Sequence, residues 1–128
     1  MNHPENTLPL KILIAEDDSI NQRLMAIYLK KWEKNLIFAD NGKEALRLFR
    51  QFSNQISLVL MDVRMPLMNG VEATKKILEL NPSARVIALS AFAQEENNFK
   101  PGEVGFVEYI SKPIRKEELV NIVNKYHV

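Results

Sequence analysis

Five short apolar runs, separated by stretches whose apolar residues recur at helical spacing, constrain this chain more than any other feature. Lys11-Ile12-Leu13-Ile14-Ala15, bounded by charge, suits a strand buried on both faces of a parallel sheet. From Ile20 the period changes. Leu24, Ile27, Tyr28 and Trp32 recur at helical spacing, Asp18 or Ser19 can cap the first turn, and the pattern predicts a helix to about Glu33. Leu36-Ile37-Phe38-Ala39 is a second strand, after which Asp40-Asn41-Gly42 turns into a helix carrying Ala45, Leu46 and Phe49. Ser57 to Met61 is a third strand, and Pro66 and Asn69-Gly70 mark the loop before a helix from Val71 to Leu80. Arg85 to Leu89 and Phe106 to Ile110 are strands four and five, and Lys116 to Tyr126 closes the chain as an amphipathic helix. Between them, Gln94-Glu95-Glu96 is helix-compatible, but Lys100-Pro101-Gly102 breaks a helix, so a short segment is expected over Gln94–Val104.

Strands alternating with helices call for right-handed crossovers and a parallel sheet covered on both faces. The expected fold is therefore α/β and flavodoxin-like, a doubly wound (βα)5 sheet of strand order 2-1-3-4-5. At 128 residues the chain fits one domain, read as residues 10–128, preceded by a polar, Pro-containing lead-in over residues 1–9, disordered or extended.

Composition narrows the function by exclusion. The absence of cysteine removes disulfides and thiolate metal sites. Seventeen basic and sixteen acidic side chains leave a formal charge of +1, which provides no general drive toward nucleic acid or anionic membrane. The polar opening is no signal peptide, and no apolar run approaches the roughly eighteen residues of a membrane span, so a cytoplasmic location is expected.

In a sheet of this order ligands sit beyond the carboxyl ends of the strands, at the switch point between strands one and three. The residues that follow the strands there are Glu16 and Asp17, Asp62, Ser90 and Lys112. Three carboxylates gathered on one rim repel one another and call for a cation, and hard oxygen ligands suit Mg²⁺. A carboxylate nucleophile attacking phosphorus, with metal and ammonium neutralising the equatorial oxygens, is the chemistry such a set performs. Asp62 is the expected nucleophile. Glu16 and Asp17 would hold the metal with Asp62 and the backbone carbonyl of Arg64, while Ser90 and Lys112 would bind phosphoryl oxygens. Each residue also has an ordinary role: Asp17 or Asp18 as helix caps, with Asp18 assigned to capping, Asp62 and Ser90 as turn residues, Lys112 as a solvated charge.

With these residues in place, the chain closely resembles the receiver domain of two-component response regulators, from about Leu10 to Tyr126. The resemblance is carried by Ile12-Leu13-Ile14-Ala15-Glu16-Asp17, by Met61-Asp62-Val63-Arg64-Met65-Pro66-Leu67-Met68-Asn69-Gly70, by Ala88-Leu89-Ser90-Ala91, and by Tyr109-Ile110-Ser111-Lys112-Pro113. It implies a phosphorylation-dependent switch. Asp62 would take its phosphoryl group, with Mg²⁺, from a phosphohistidine on a histidine kinase or histidine phosphotransfer protein. The domain would catalyse only its own phosphorylation and dephosphorylation. The resemblance also implies a cis Lys112-Pro113 peptide and coupling of Ser90 to Tyr109. That coupling would alter the face formed by the fourth helix, fifth strand and fifth helix, and it leaves room for a homodimer. Arg64 and Phe92, flanking the path of attacking water, are expected to slow hydrolysis. The run Glu16-Asp17-Asp18-Ser19-Ile20-Asn21-Gln22 is similar to receivers of hybrid histidine kinases.

Three other readings compete. A flavin phosphate would require a hydroxyl- and amide-rich loop where three carboxylates stand. An aspartyl phosphatase would carry a second acid where Arg64 stands. A pseudo-receiver would keep the fold as a protein-interaction module without being phosphorylated.

Overall fold

The computed structural model describes residues 10–91 and 104–127. The expected lead-in over residues 1–9, Phe92 and most of the segment 94–104 fall outside that range. Within it, β1 (Lys11–Ala15), β2 (Leu36–Ala39), β3 (Ile56–Asp62), β4 (Val86–Ser90) and β5 (Glu108–Ser111) form one sheet in the order β2-β1-β3-β4-β5. Every pairing is parallel, as the alternation of strand and helix requires.

The strands lack polar alternation because both faces of the sheet are covered. Ile12, Ile14, Leu58, Leu60, Ile87 and Leu89 pack against Met25 of α1 (Ser19–Tyr28) and Leu119, Ile122 and Val123 of the C-terminal helix (Lys116–Tyr126). Their neighbours Leu13, Ala15, Val59, Met61, Val86 and Ala88 face α2 (Gly42–Phe52) and α3 (Gly70–Leu80), where Ala45, Leu46, Phe49, Ala73 and Ile77 complete a second core. Full burial of each large side chain contributes about 1.5–3 kcal/mol. Local signals start the helices: Asn41 Oδ1 accepts from the Glu44 amide at 2.8 Å, and Asn69 Oδ1 from that of Glu72 at 2.9 Å.

The first helix departs from the expected reading in length and in phase. It ends at Tyr28 rather than near Glu33; Leu29 leaves helical geometry (φ −103°, ψ 29°), and a separate 3₁₀ segment spans Lys30–Asn35. Leu29 is fully buried, and the change of direction lets Trp32 pack on the same core. It also lets Asn35 Nδ2 donate to the Leu10 carbonyl at 2.9 Å, tying the segment to the start of β1. The core side of the helix is Met25 with Leu29, an i, i+4 pair that fills the space over the sheet. Ile20, Leu24 and Ile27 form a second stripe, out of phase with the first, and are 75%, 37% and 61% exposed.

Smaller differences shift the later strands. Asp62 and Ser90 are the last residues of β3 and β4 rather than the first beyond them, and β5 begins at Glu108, with Phe106 buried ahead of it.

Candidate functional site

All five strands end on one rim, where backbone geometry sets the approach of the side chains. After Ala15 the Glu16 amide donates to the Ala39 carbonyl at 3.0 Å, continuing the β1–β2 ladder by one residue. Asp18 then caps α1, its Oδ1 accepting from the Ile20 amide at 2.8 Å, the ordinary role assigned to it from the sequence. The loop after β3 folds back tightly, with the Gly70 amide donating to the Val63 carbonyl at 2.9 Å. A Cβ at Gly70 would lie 2.0 Å from the Asp62 carbonyl oxygen, and one at Gly42 2.0 Å from that of Met68. Close backbone packing thus requires glycine at both positions, at Gly70 beside Asp62 and at Gly42 against Met68 in the loop after β3.

β5 delivers Lys112, whose amide donates to the Ser90 carbonyl at 2.8 Å and whose peptide bond to Pro113 is cis, as expected. Its Nζ lies 2.9 Å from Asp62 Oδ2 and 3.2 Å from Glu16 Oε1. The contact to Glu16 is an ion pair whose geometry is looser than that of the bond to Asp62. The other Asp62 oxygen, Oδ1, accepts from the Arg64 amide at 3.0 Å, and Glu16 Oε2 accepts from the Asp18 amide at 3.1 Å. Burial raises the Glu16 carboxyl above its ordinary value, and the charge of Asp62 adds to the rise. Burial alone would lower Lys112; the hydrogen bond and charge of Asp62, with the charge of Glu16, outweigh it and raise its pKa.

The acids predicted to converge do so: Glu16, Asp17 and Asp62 each offer an oxygen, all within 4.8 Å of one another. At 4.8 Å in an effective dielectric of about 20, two full carboxylate charges repel by roughly 3 kcal/mol. Glu16 Oε1, fully buried without a hydrogen bond, is an acceptor aimed into this cluster. The donors border a cleft of about 280 Å³ that Arg64, Ser90 and Lys112 also line. Hard oxygen donors in a space that admits water fit a divalent cation.

The remaining candidates divide. Ser90 is buried at the rim, and Ala88, two residues before it, is the register partner of Tyr109, which is 45% exposed. Arg64 is exposed on the cleft edge, and Phe92 lies outside the described residues. The fourth helix of the expected output face lies outside them too. Two residues escaped the sequence reading: Asn21, which lines the cleft, and Gln22, whose Nε2 donates to the Glu16 carbonyl at 2.6 Å and to Asp40 Oδ1 at 2.8 Å. Neither stands at a strand end, so strand-end reasoning could not select them. Among the described residues no helix is long and apolar enough to cross a membrane.

Comparison with known proteins gives a consistent result. Residues 12–124 match the family model described as the response regulator receiver domain. A hybrid signal transduction histidine kinase of Dictyostelium discoideum is 34% identical over 124 residues, 91% of this chain and 7% of its own length. A two-component response regulator of Arabidopsis thaliana is 30% identical over 116 residues, 90% of this chain and 82% of its own. The chain thus spans a small part of some relatives and most of others. Among solved structures, the receiver domain of a Pseudomonas aeruginosa sensor histidine kinase, crystallised with a magnesium ion coordinated in its active-site cleft, superposes with a TM-score of 0.82. It is 26% identical, and the match covers 93% of this chain and 98% of that one.

Proposed function

Because the chain belongs to the response regulator receiver domain family of two-component signalling, we propose that it is a phosphorylation switch whose acceptor is Asp62 and whose cofactor is Mg²⁺. One observation carries the proposal. The Asp62 carboxylate is held on one oxygen by Lys112 and on the other by the Arg64 amide, with Glu16 and Asp17 oxygens within 4.8 Å. A side chain fixed at both oxygens is preorganised for in-line attack.

In the reaction an Asp62 oxygen attacks the phosphorus of a phosphohistidine; the O–P bond forms as the P–N bond breaks, and the imidazole leaves with the electron pair. Lys112 would turn from Asp62 to a phosphoryl oxygen and Ser90 would hydrogen-bond another, while Glu16, Asp17, Asp62 and the Arg64 carbonyl would hold the cation. A Mg²⁺ ion held there would supply charge neutralisation to the carboxylates and to the transferring group. Tyr109, 45% exposed, would respond to a movement of Ser90. Arg64 and Phe92 would restrain attacking water. The domain turns over no other substrate.

The donor is a histidine kinase or a histidine phosphotransfer protein. A co-crystal structure of such a phosphotransfer protein with a yeast receiver, 25% identical to this chain with a TM-score of 0.79, supports that partner class. The exposed stripe Ile20, Leu24 and Ile27 lies on α1, the helix that follows Glu16 and Asp17, and offers apolar surface for docking. Incubation with acetyl phosphate and Mg²⁺ followed by intact mass is the test. Parent protein should gain one phosphoryl group and Asp62→Asn none; an unmodified parent would leave an interaction module that is not phosphorylated.

A further inference from the structure

Gln22 is not among the residues that define the receiver site, yet it holds the backbone from which one metal ligand projects. Its side-chain amide donates twice, to the Glu16 carbonyl at 2.6 Å and to Asp40 Oδ1 at 2.8 Å. Both partners are acceptors, so the amide can take only the orientation with nitrogen toward them. The Glu16 carbonyl belongs to the peptide that joins Glu16 to Asp17. The following peptide, Asp17 to Asp18, is held by the Asp18 amide on Glu16 Oε2 at 3.1 Å. Asp17 therefore sits between two peptide groups, each fixed by a different side chain. Its exposed carboxylate makes no hydrogen bond to another described residue. What aims it at Glu16 and Asp62 is the setting of those two peptides.

We propose that Gln22 is a positioning residue for the cation site, presenting the Asp17 carboxylate by locking the Glu16–Asp17 peptide to the carboxyl end of β2. The inference rests on the Mg²⁺ reading above. Partners that orient metal ligands from outside the coordination sphere typically contribute about 10–100-fold in metal affinity. Gln22 acts on a ligand's backbone rather than on its side chain, so the low end, about tenfold, is expected.

A purely structural tie between α1 and the sheet would lower the melting temperature without changing how the folded protein binds Mg²⁺. The two roles separate in a Mg²⁺ titration of the full chain, followed by the amide NMR shifts of Glu16, Asp17 and Asp18, with thermal melts in EDTA alongside. Gln22→Met keeps size and charge but removes both donors; its Mg²⁺ Kd should rise about tenfold. A Kd within about twofold of the parent's overturns the proposal. Asp40→Asn and Asp40→Leu lose the same charge, but only the first keeps an acceptor for Gln22. Asp40→Leu should bind several-fold more weakly than Asp40→Asn, and equal affinities overturn the proposal even if Gln22→Met fails to fold. Should the parent itself show no saturable Mg²⁺ binding, the metal reading falls first, an outcome distinct from either of these.

Discussion

Gly70→Ala tests whether the close fold-back of the β3–α3 loop holds Asp62 in place. The new Cβ would stand 2.0 Å from the Asp62 carbonyl oxygen and 2.9 Å from Met61 Cγ, whereas real Cβ atoms essentially never approach within 3.0 Å. The backbone must open by about 1 Å, because the nearer atom is a carbonyl in a central strand. Opening of that size breaks the 2.9 Å bond from the Gly70 amide to the Val63 carbonyl, a loss of about 1 kcal/mol. Overpacking adds about 1–3 kcal/mol. Alanine recovers up to about 1 kcal/mol through helix propensity and a less flexible unfolded chain. The net is a destabilisation of about 2 kcal/mol, read in urea titration as a lower midpoint at unchanged m-value, with a melting temperature lower by roughly 5–10 °C. Phosphorylation by acetyl phosphate should slow as well, since the shift displaces the backbone that carries the acceptor. A Gly70→Ala protein as stable as the parent would show that contact with the Asp62 carbonyl does not constrain the loop.

Glu16→Gln should stabilise the metal-free protein at neutral pH. Burial and Asp62 raise the Glu16 pKa, so its contribution to stability is complete in acid and disappears as pH rises through that raised value; melts in EDTA across pH should show the variant's advantage growing upward, and Mg²⁺ should shrink it. Leu67→Gly should gain up to about 1 kcal/mol in denaturant titrations, because Leu67 sits at φ 71° under a Met68 amide to Pro66 carbonyl bond of 2.8 Å while 78% exposed, so strain is relieved with little burial lost. His127, whose Nδ1 lies 2.5 Å from Ser57 Oγ, is held by burial below its ordinary value of 6.5. Its contribution is complete above about pH 6.5 and falls with pH below that, so His127→Gln should flatten the acid side of the melting profile; an unchanged slope would assign the loss to other groups.

The sequence by itself determined the layers, the strand order and the identity of the acids. Continuous apolar runs and helical patterns are local properties of neighbouring residues, and in a parallel sheet all strands end on the same side, so Glu16, Asp62, Ser90 and Lys112 share a rim. The start of α2 was legible for the same reason, since the turn at Asp40-Asn41-Gly42 lets Asn41 Oδ1 accept from the Glu44 amide within one turn. Only the tertiary structure decided the phase of α1, because Ile20, Leu24 and Ile27 are as well spaced for burial as Met25 and Leu29. The choice between two apolar stripes is made by which one fits the sheet. The same holds for Gln22, which finds its partners through packing: one at the end of β1 and one eighteen residues away at the end of β2. Spacing along the chain names what can meet, and close packing settles which atoms do.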